Sequence, residues 1–220
     1  MNFPLLAVPI IAKTDKEALA DMEKAITAGA DILEFRIDYM PKIVSADLKN
    51  FIYNSSLPAI VTNRARDEGG YYTGTERRRI ELLEDAAYLK AHYVDIELRH
   101  MPKSFNKNSS KLIVSYHDFK STPENLEEIY RKILDAGADI IKIATKANYG
   151  KDVKRMNNLI EMSYKSGKPI IGICMGELGR ETRFHPKNYL TFPCLPGKNS
   201  APGQVTIEEM INYKNKISGM

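Results

Sequence analysis

Cysteine is scarce: the 220-residue chain has two, Cys174 and Cys194, and neither belongs to a CxxC pair. At most one bridge is possible, which excludes a disulfide scaffold and points to thiols kept in a reducing compartment. With 43% hydrophobic residues, the chain can bury a sizeable core without covalent staples. Long apolar runs are also missing. Nowhere do the ~18 consecutive apolar residues of a spanning helix occur. The opening Met1-Asn2-Phe3-Pro4 has no basic stretch, and its apolar character ends at Lys13, unlike a signal peptide. Neither sign of charge dominates: 32 Lys and Arg against 28 Asp and Glu leave +4. These charges are spread along the chain rather than clustered on one face as in nucleic-acid readers. No Pro/Ser-rich linker or low-complexity segment divides the sequence. Three of the four histidines (His92, His100, His185) are scattered, and the set lacks metal-ligand spacing. The expectation is one cytoplasmic domain over residues 1–220, with no metal site and no nucleic-acid or membrane partner.

Short apolar runs alternate with longer amphipathic stretches throughout. Strands are expected over residues 5–12, 32–38, 59–63, 93–98, 112–116, 140–144, 170–173 and 189–192. Helical spacing is clearest over 15–28, 75–90 and 123–135, with Asp15, Thr75 and Thr122 as expected N-caps. Such alternation implies parallel strands joined by crossover helices. Eight units without a dinucleotide fingerprint favour a closed α/β architecture, the (β/α)₈ TIM barrel. An internal echo agrees: Ala28-Gly29-Ala30-Asp31-Ile32-Leu33-Glu34 aligns with Ala136-Gly137-Ala138-Asp139-Ile140-Ile141-Lys142. In each copy a glycine closes a helix before a strand, and the alignment gives Glu34 and Lys142 equivalent positions. Turns between helices and strands also look alike in general, which would account for much of the match.

Buried parallel strands should be nearly continuous in Val, Ile and Leu, and several here are not. Glu34, Arg36 and Asp38 alternate with Leu33, Phe35 and Ile37, so the charges share one face. In a closed barrel that face is the interior, near the C-terminal rim. The same parity groups Thr62 with Arg64, Asp95 with Glu97, His117 with Ile113 and Ser115, and Lys142 with Ile140 and Ala144. Ionisable groups from five strands thus converge on the end where barrel active sites lie. They fit either catalysis or structural ion pairing. Lys142, flanked by Ile140, Ile141 and Ile143, is desolvated; burial favours a neutral, nucleophilic amine suited to a Schiff base. A lysine reaching from the strand end to a carboxylate explains it equally well. His117 is suited to proton transfer beside an iminium. The glycine-containing segments 175–183 and 199–204 follow the last two strands. They are placed to close over an anion, with Arg183 able to clamp a carboxylate bidentately. Arg77-Arg78-Arg79 reads as the solvated face of a helix, and Tyr71-Tyr72 as loop packing.

Six motifs stand in one order: Glu34-Phe35-Arg36-Ile37-Asp38, Asp95-Ile96-Glu97-Leu98, Ser115-Tyr116-His117-Asp118, Lys142-Ile143-Ala144, Met175-Gly176…Gly179…Arg183 and Ser200-Ala201-Pro202-Gly203-Gln204. Together they resemble the type I 3-dehydroquinate dehydratase family over nearly the whole chain. The resemblance implies a TIM barrel, dimeric, that dehydrates 3-dehydroquinate to 3-dehydroshikimate in the shikimate pathway without metal or organic cofactor. It also implies Lys142 as the Schiff-base lysine, His117 as the general acid/base and Glu68 as the carboxylate assisting His117. Glu34, Arg36 and Arg64 would hold the substrate, Arg183 its carboxylate, and Ser200 and Gln204 would sit on the closing loop. Asp95 would orient His117. The chain departs from the pattern at Pro9, where some members place a substrate-binding serine, and at Thr182, where serine is common. The connection over 99–111 is short and is expected to lack a full helix. The residues leave two alternatives open: a class I aldolase or transaldolase on the same barrel, and a non-catalytic barrel that binds a hydroxy-acid.

Overall fold

Strands form where β-branched and other apolar residues run together, as seen in a computed structural model that describes residues 3–219. They are β1 (Leu5–Ile10), β2 (Ile32–Arg36), β3 (Ala59–Thr62), β4 (Tyr93–Glu97), β5 (Lys111–Asp118), β6 (Ile140–Lys146), β7 (Ile170–Met175) and β8 (Leu190–Thr191). All pair in parallel, in the order β7-β6-β5-β4-β3-β2-β1-β8. The Tyr189 N–H donates to the Ile170 carbonyl at 2.8 Å, which brings the two ends of the sheet together. The result is a nearly closed single-domain barrel, as the strand–helix alternation implies.

The helices are α1 (Asp15–Thr27), α2 (Ser45–Asn54), α3 (Glu76–Tyr88), α4 (Leu126–Asp135), α5 (Gly150–Lys165) and α6 (Ile207–Ser218). α1, α3 and α4 correspond to the three expected helices. α2, α5 and α6 occupy stretches where the spacing names none. Two N-caps differ from expectation. Thr14, not Asp15, caps α1 by accepting the Glu17 N–H. α4 starts at Leu126 after Asn125, while the Thr122 hydroxyl is buried against Thr145 and donates to the Lys146 carbonyl. Thr75 caps α3 as expected, accepting the Arg78 N–H. Between β4 and β5 a single 3₁₀ turn, Leu98–His100, stands in place of a full helix.

Side-chain parity sorts the core into two layers. Leu33, Phe35, Val94, Ile96, Ile141 and Ile143 point outward into the layer beneath the helices. Ala7, Ile32, Ile60, Ile113, Ile140, Ile171 and Leu190 fill the inside. Each fully buried Leu or Ile contributes about 1.5–3 kcal/mol, so this inner plug forms a rigid floor. The internal echo extends to its aspartates. Asp31 and Asp139 each reach back to the preceding strand, accepting the N–H of Leu6 at 2.8 Å and of Leu112 at 2.7 Å. Gly29 and Gly137 close their helices at φ +91° and +81°, where a Cβ would be strained. These paired devices set the height of β2 and β6, and so of Glu34 and Lys142.

Candidate active site

Above the floor, at the C-terminal ends of the strands, lies a partly open cavity. Lys142, His117, Glu68, Glu34, Arg36, Arg64, Arg183, Ser200 and Gln204 all line it. The nine side chains marked out in the sequence therefore meet in one place. Pro9 pairs in register with Glu34 on β1 but is not part of the lining.

Lys142 rises from β6 and is 5% exposed. Its flanks are apolar, as expected, but its Nζ is not in apolar surroundings. It donates to Asp95 Oδ2 at 2.7 Å and lies 3.5 Å from Glu34 Oε1. The Phe192 ring covers it at 4.2 Å. Glu34 is fixed in turn by the Thr62 hydroxyl, which donates to Oε1 at 2.8 Å. Asp95 is the hub of the lysine side of the cavity: its Oδ1 accepts from Arg64 at 2.8 Å and from the Ser115 hydroxyl at 2.7 Å. Burial opposes its ionisation, but Arg64 and Lys142 outweigh that and hold the carboxyl well below the usual range. Asp95 is therefore the partner of Lys142 and Arg64. It does not orient His117, contrary to the expectation from the sequence.

The partner of His117 is Glu68, from the 3₁₀ turn Arg66–Glu68 after β3. Glu68 Oε2 accepts the His117 backbone N–H at 3.0 Å and lies 2.9 Å from the ring Nδ1. Because that oxygen already accepts one N–H, Nδ1 is assigned as a second donor to it, and Nε2 keeps its lone pair. Burial pushes the Glu68 carboxyl up to about 8, against the pull of Arg64. Its other oxygen, Oε1, has no hydrogen-bond partner among the described residues. Burial, with Arg64 and Lys142 nearby, pushes the imidazole well below its ordinary 6.5. At neutral pH the ring is an uncharged base.

The arginines differ in how they are held. Arg36 is gripped by Asp38 through Nε and Nη2, both at 2.8 Å. β2 ends at Arg36, and a 3₁₀ turn (Ile37–Tyr39) follows. Asp38 thus leaves the strand face it was expected to share and becomes the counter-ion of Arg36. Arg64 is braced by Asp95, Glu97 and Ser115. Arg183 is 2% exposed, and among the described residues its only side-chain hydrogen bond runs from Nη2 to the Pro202 carbonyl at 3.3 Å. Its Nε has no partner, and burial pulls the guanidinium down to about 10. A buried cation without a carboxylate is unfavourable, and an anion in the cavity would offset that cost.

The two late loops dock on each other over the cavity. Pro202 presents its carbonyl to Arg183 and also to the Gly176 N–H at 3.4 Å. Gly203 sits at φ +68°, and a Cβ there would lie 2.6 Å from the Gly176 carbonyl oxygen. Gln204 braces its own loop: its Oε1 accepts the Ser200 N–H at 2.7 Å and its Nε2 donates to the Phe192 carbonyl at 2.9 Å. Thr182 is also internal, its hydroxyl accepting the Cys174 N–H and donating to the Gly179 carbonyl.

Phe192, Ile173 and Met175 also line the cavity; Met175 opens one of the six motifs, but none of the three is expected in the site from the sequence. Applied to β7 and β8, the same parity argument would have found them, since they alternate in step with Ile171 and Leu190. Arg79, expected on a solvated face, is instead 1% exposed and ion-paired with Glu97 at 2.8 Å, because the carboxylate that draws it inward comes from β4.

The model of the family described as type I 3-dehydroquinase matches residues 6–218. A 3-dehydroquinate dehydratase of Methanocaldococcus jannaschii is 39% identical over 218 residues, covering 94% of this chain and 96% of that protein. Among solved structures, the 3-dehydroquinate dehydratase of Geobacillus kaustophilus superposes with a TM-score of 0.89 at 26% identity, over 98% of this chain and 91% of its own. The type I enzyme of Clostridium difficile, solved with covalently modified comenic acid, gives a TM-score of 0.87 at 25% identity, over 100% and 94%.

Proposed function

The chain belongs to the type I 3-dehydroquinase family, and from that premise we propose how its cavity divides the reaction among its side chains. The protein is a hydro-lyase of the shikimate pathway that removes water from 3-dehydroquinate to give 3-dehydroshikimate. The observation that carries the assignment is that Lys142, a Glu68-bound neutral His117 and an unpaired Arg183 line one cavity.

Arg183 takes the substrate carboxylate. That anchor sets the ketone over Nζ of Lys142 and the neighbouring C–H against Nε2 of His117. Lys142 gives a proton to His117 and adds to the ketone as the free amine; His117 returns that proton to the carbinolamine hydroxyl, which leaves as water, and a protonated imine remains. The cationic nitrogen accepts electron density as His117 removes the proton beside it. His117 then returns that proton to the β-hydroxyl, which leaves as water, and hydrolysis of the imine frees the product and the amine. Asp95 and Glu34 keep Nζ in place throughout, and Glu68 fixes the ring tautomer. Glu34, Arg36 and Arg64 bind substrate hydroxyls, and Ser200 and Gln204 belong to the loop that closes over the ligand. The Schiff base draws support from the anionic seat of Nζ and from the covalently modified ligand of the Clostridium difficile relative.

The aldolase and non-catalytic alternatives are not favoured, because the family match spans nearly the whole chain. The same reading takes the chain to work as a homodimer in the cytoplasm. Among the described residues no helix is long and apolar enough to cross a membrane.

Two variants test the assignment in an assay that follows the new enone absorbance. Lys142→Ala is expected to abolish both turnover and covalent trapping. His117→Ala is expected to trap the ligand as an adduct while turning over at least ~10²-fold more slowly. Normal turnover by either variant would refute the corresponding role.

A further inference from the structure

Arg77 and Arg78 on α3 keep their side chains 89% and 41% exposed, whereas Arg79 is 2% exposed. From the helix layer its guanidinium reaches the ends of β3 and β4. Nη1 donates to the Asn63 carbonyl and lies 2.8 Å from Glu97 Oε2, while Nε and Nη2 are held by Glu76. Glu97 is fully buried, and its other oxygen has two tasks. Oε1 accepts from Arg64 at 3.1 Å and from the Ala65 N–H at 2.8 Å. Ala65 opens the turn that delivers Glu68 to His117. One carboxylate therefore fixes both an arginine of the cavity and the root of the Glu68 turn.

Among the buried groups, Lys142, Arg64 and Arg79 face Glu34, Asp95 and Glu97, with the half-exposed Glu76 a further partner of Arg79, and Arg183 stands outside this set. Burying a whole guanidinium is poorly explained by stability, since apolar replacements of buried ion pairs are often neutral or better. We propose that Arg79 is a positioning residue for the dehydration, acting through Glu97 to place both Arg64 and the turn that carries Glu68. Without it, Glu97 has only Arg64 as a counter-charge and draws it away from Asp95. The excess negative charge then favours a proton on His117. The ring is faced by Glu68 from the turn, Arg64 from the end of β3, Asp95 from β4, Lys142 from β6 and Arg36 from β2. A change at Arg79 removes none of these groups but loosens Arg64 and the Glu68 turn, so a shift in the titration reports the uncompensated charge of Glu97 together with the displacement it passes on.

This inference rests on His117 as the base. The test measures kcat, KM and thermal unfolding of the full chain from pH 5 to 9. It compares the wild type, Arg79→Met and the double variant Arg79→Met/Glu97→Gln. Arg79→Met is expected to lower kcat about tenfold and to move the acid limb of kcat up by about half a pH unit. KM should stay within about twofold, because Arg183 is untouched. The double variant, with the wild-type net charge, should return the limb to its wild-type position. Should Arg79→Met not fold, Arg79→Gln, which keeps a donor for Asn63, is read in the same way. A folded variant with wild-type kcat and limb overturns the proposal. So does a loss of activity that follows the melting temperature while the limb stays put. Failure of the His117 reading shows separately, as an acid limb that persists in His117→Ala.

Discussion

Single side chains in this cavity are set by what they lack as much as by what they touch. Among the described residues Arg183 has no carboxylate and Glu68 Oε1 has no partner, while Lys142 has two carboxylates within reach. Glu68 carries a measurable consequence. Its carboxyl keeps a proton in the folded chain until about pH 8, whereas the unfolded chain sheds it near 4.5. A raised carboxyl pKa means that folding is favoured fully below the unfolded value, and that this contribution is lost as pH rises from about 4.5 to about 8. Glu68→Gln, which mimics the protonated group, should therefore match the wild type in urea unfolding at pH 4.5. At pH 8.5 it should exceed the wild type by about 1–2 kcal/mol. An equal difference at both pH values would contradict the raised carboxyl. The identities of such residues were legible because charged side chains broke apolar strands at Glu34, Asp95 and Lys142. The pairing of Glu68 with His117 was legible through the family resemblance and holds. The partner of Asp95 was not: strand parity puts Asp95 in the barrel, but only the three-dimensional register decides that it meets Lys142.

The elements followed the sequence wherever one periodicity held over their length. β2 and β6 declared an inner and an outer face, and α1, α3 and α4 an apolar side. Trouble came at their ends. A 3₁₀ turn takes Asp38 out of phase with β2, and Thr122 spends its hydroxyl on Thr145 and Lys146 rather than on a cap. Helical spacing also placed Arg79 on a wet face, because the carboxylate that buries it comes from β4. The late loops make the clearest prediction at this scale. Gly203 needs its positive φ and its close approach to Gly176, so Gly203→Ala forces the closing loop off its seat. kcat/KM should fall about tenfold, while thermal stability changes by less than about 1 kcal/mol because the loop is at the surface. Wild-type kinetics in that variant would show that docking of the two loops plays no part in turnover.

At the scale of the molecule, eight short strands and the crossovers between them were enough to reveal a barrel. The scarcity of cysteine and the absence of a linker fitted a single core. The small excess of positive charge turned out to be local in meaning. Arg36, Arg64, Arg79 and Lys142 are matched by buried carboxylates, and among the described residues lining the cavity Arg183 is the cation without one, which is the basis for proposing it as the ligand's anchor. An inner apolar floor, a ring of paired charge above it and one unpaired guanidinium together make a site for a small ketone bearing a carboxylate. The central claim is that the ketone becomes covalently attached at Lys142. Borohydride reduction in the presence of 3-dehydroquinate, followed by peptide mass analysis, tests it directly. The account predicts a stable ligand adduct on the peptide containing Lys142, and none in Lys142→Ala. An active chain that yields no adduct, or an adduct on another lysine, would contradict it.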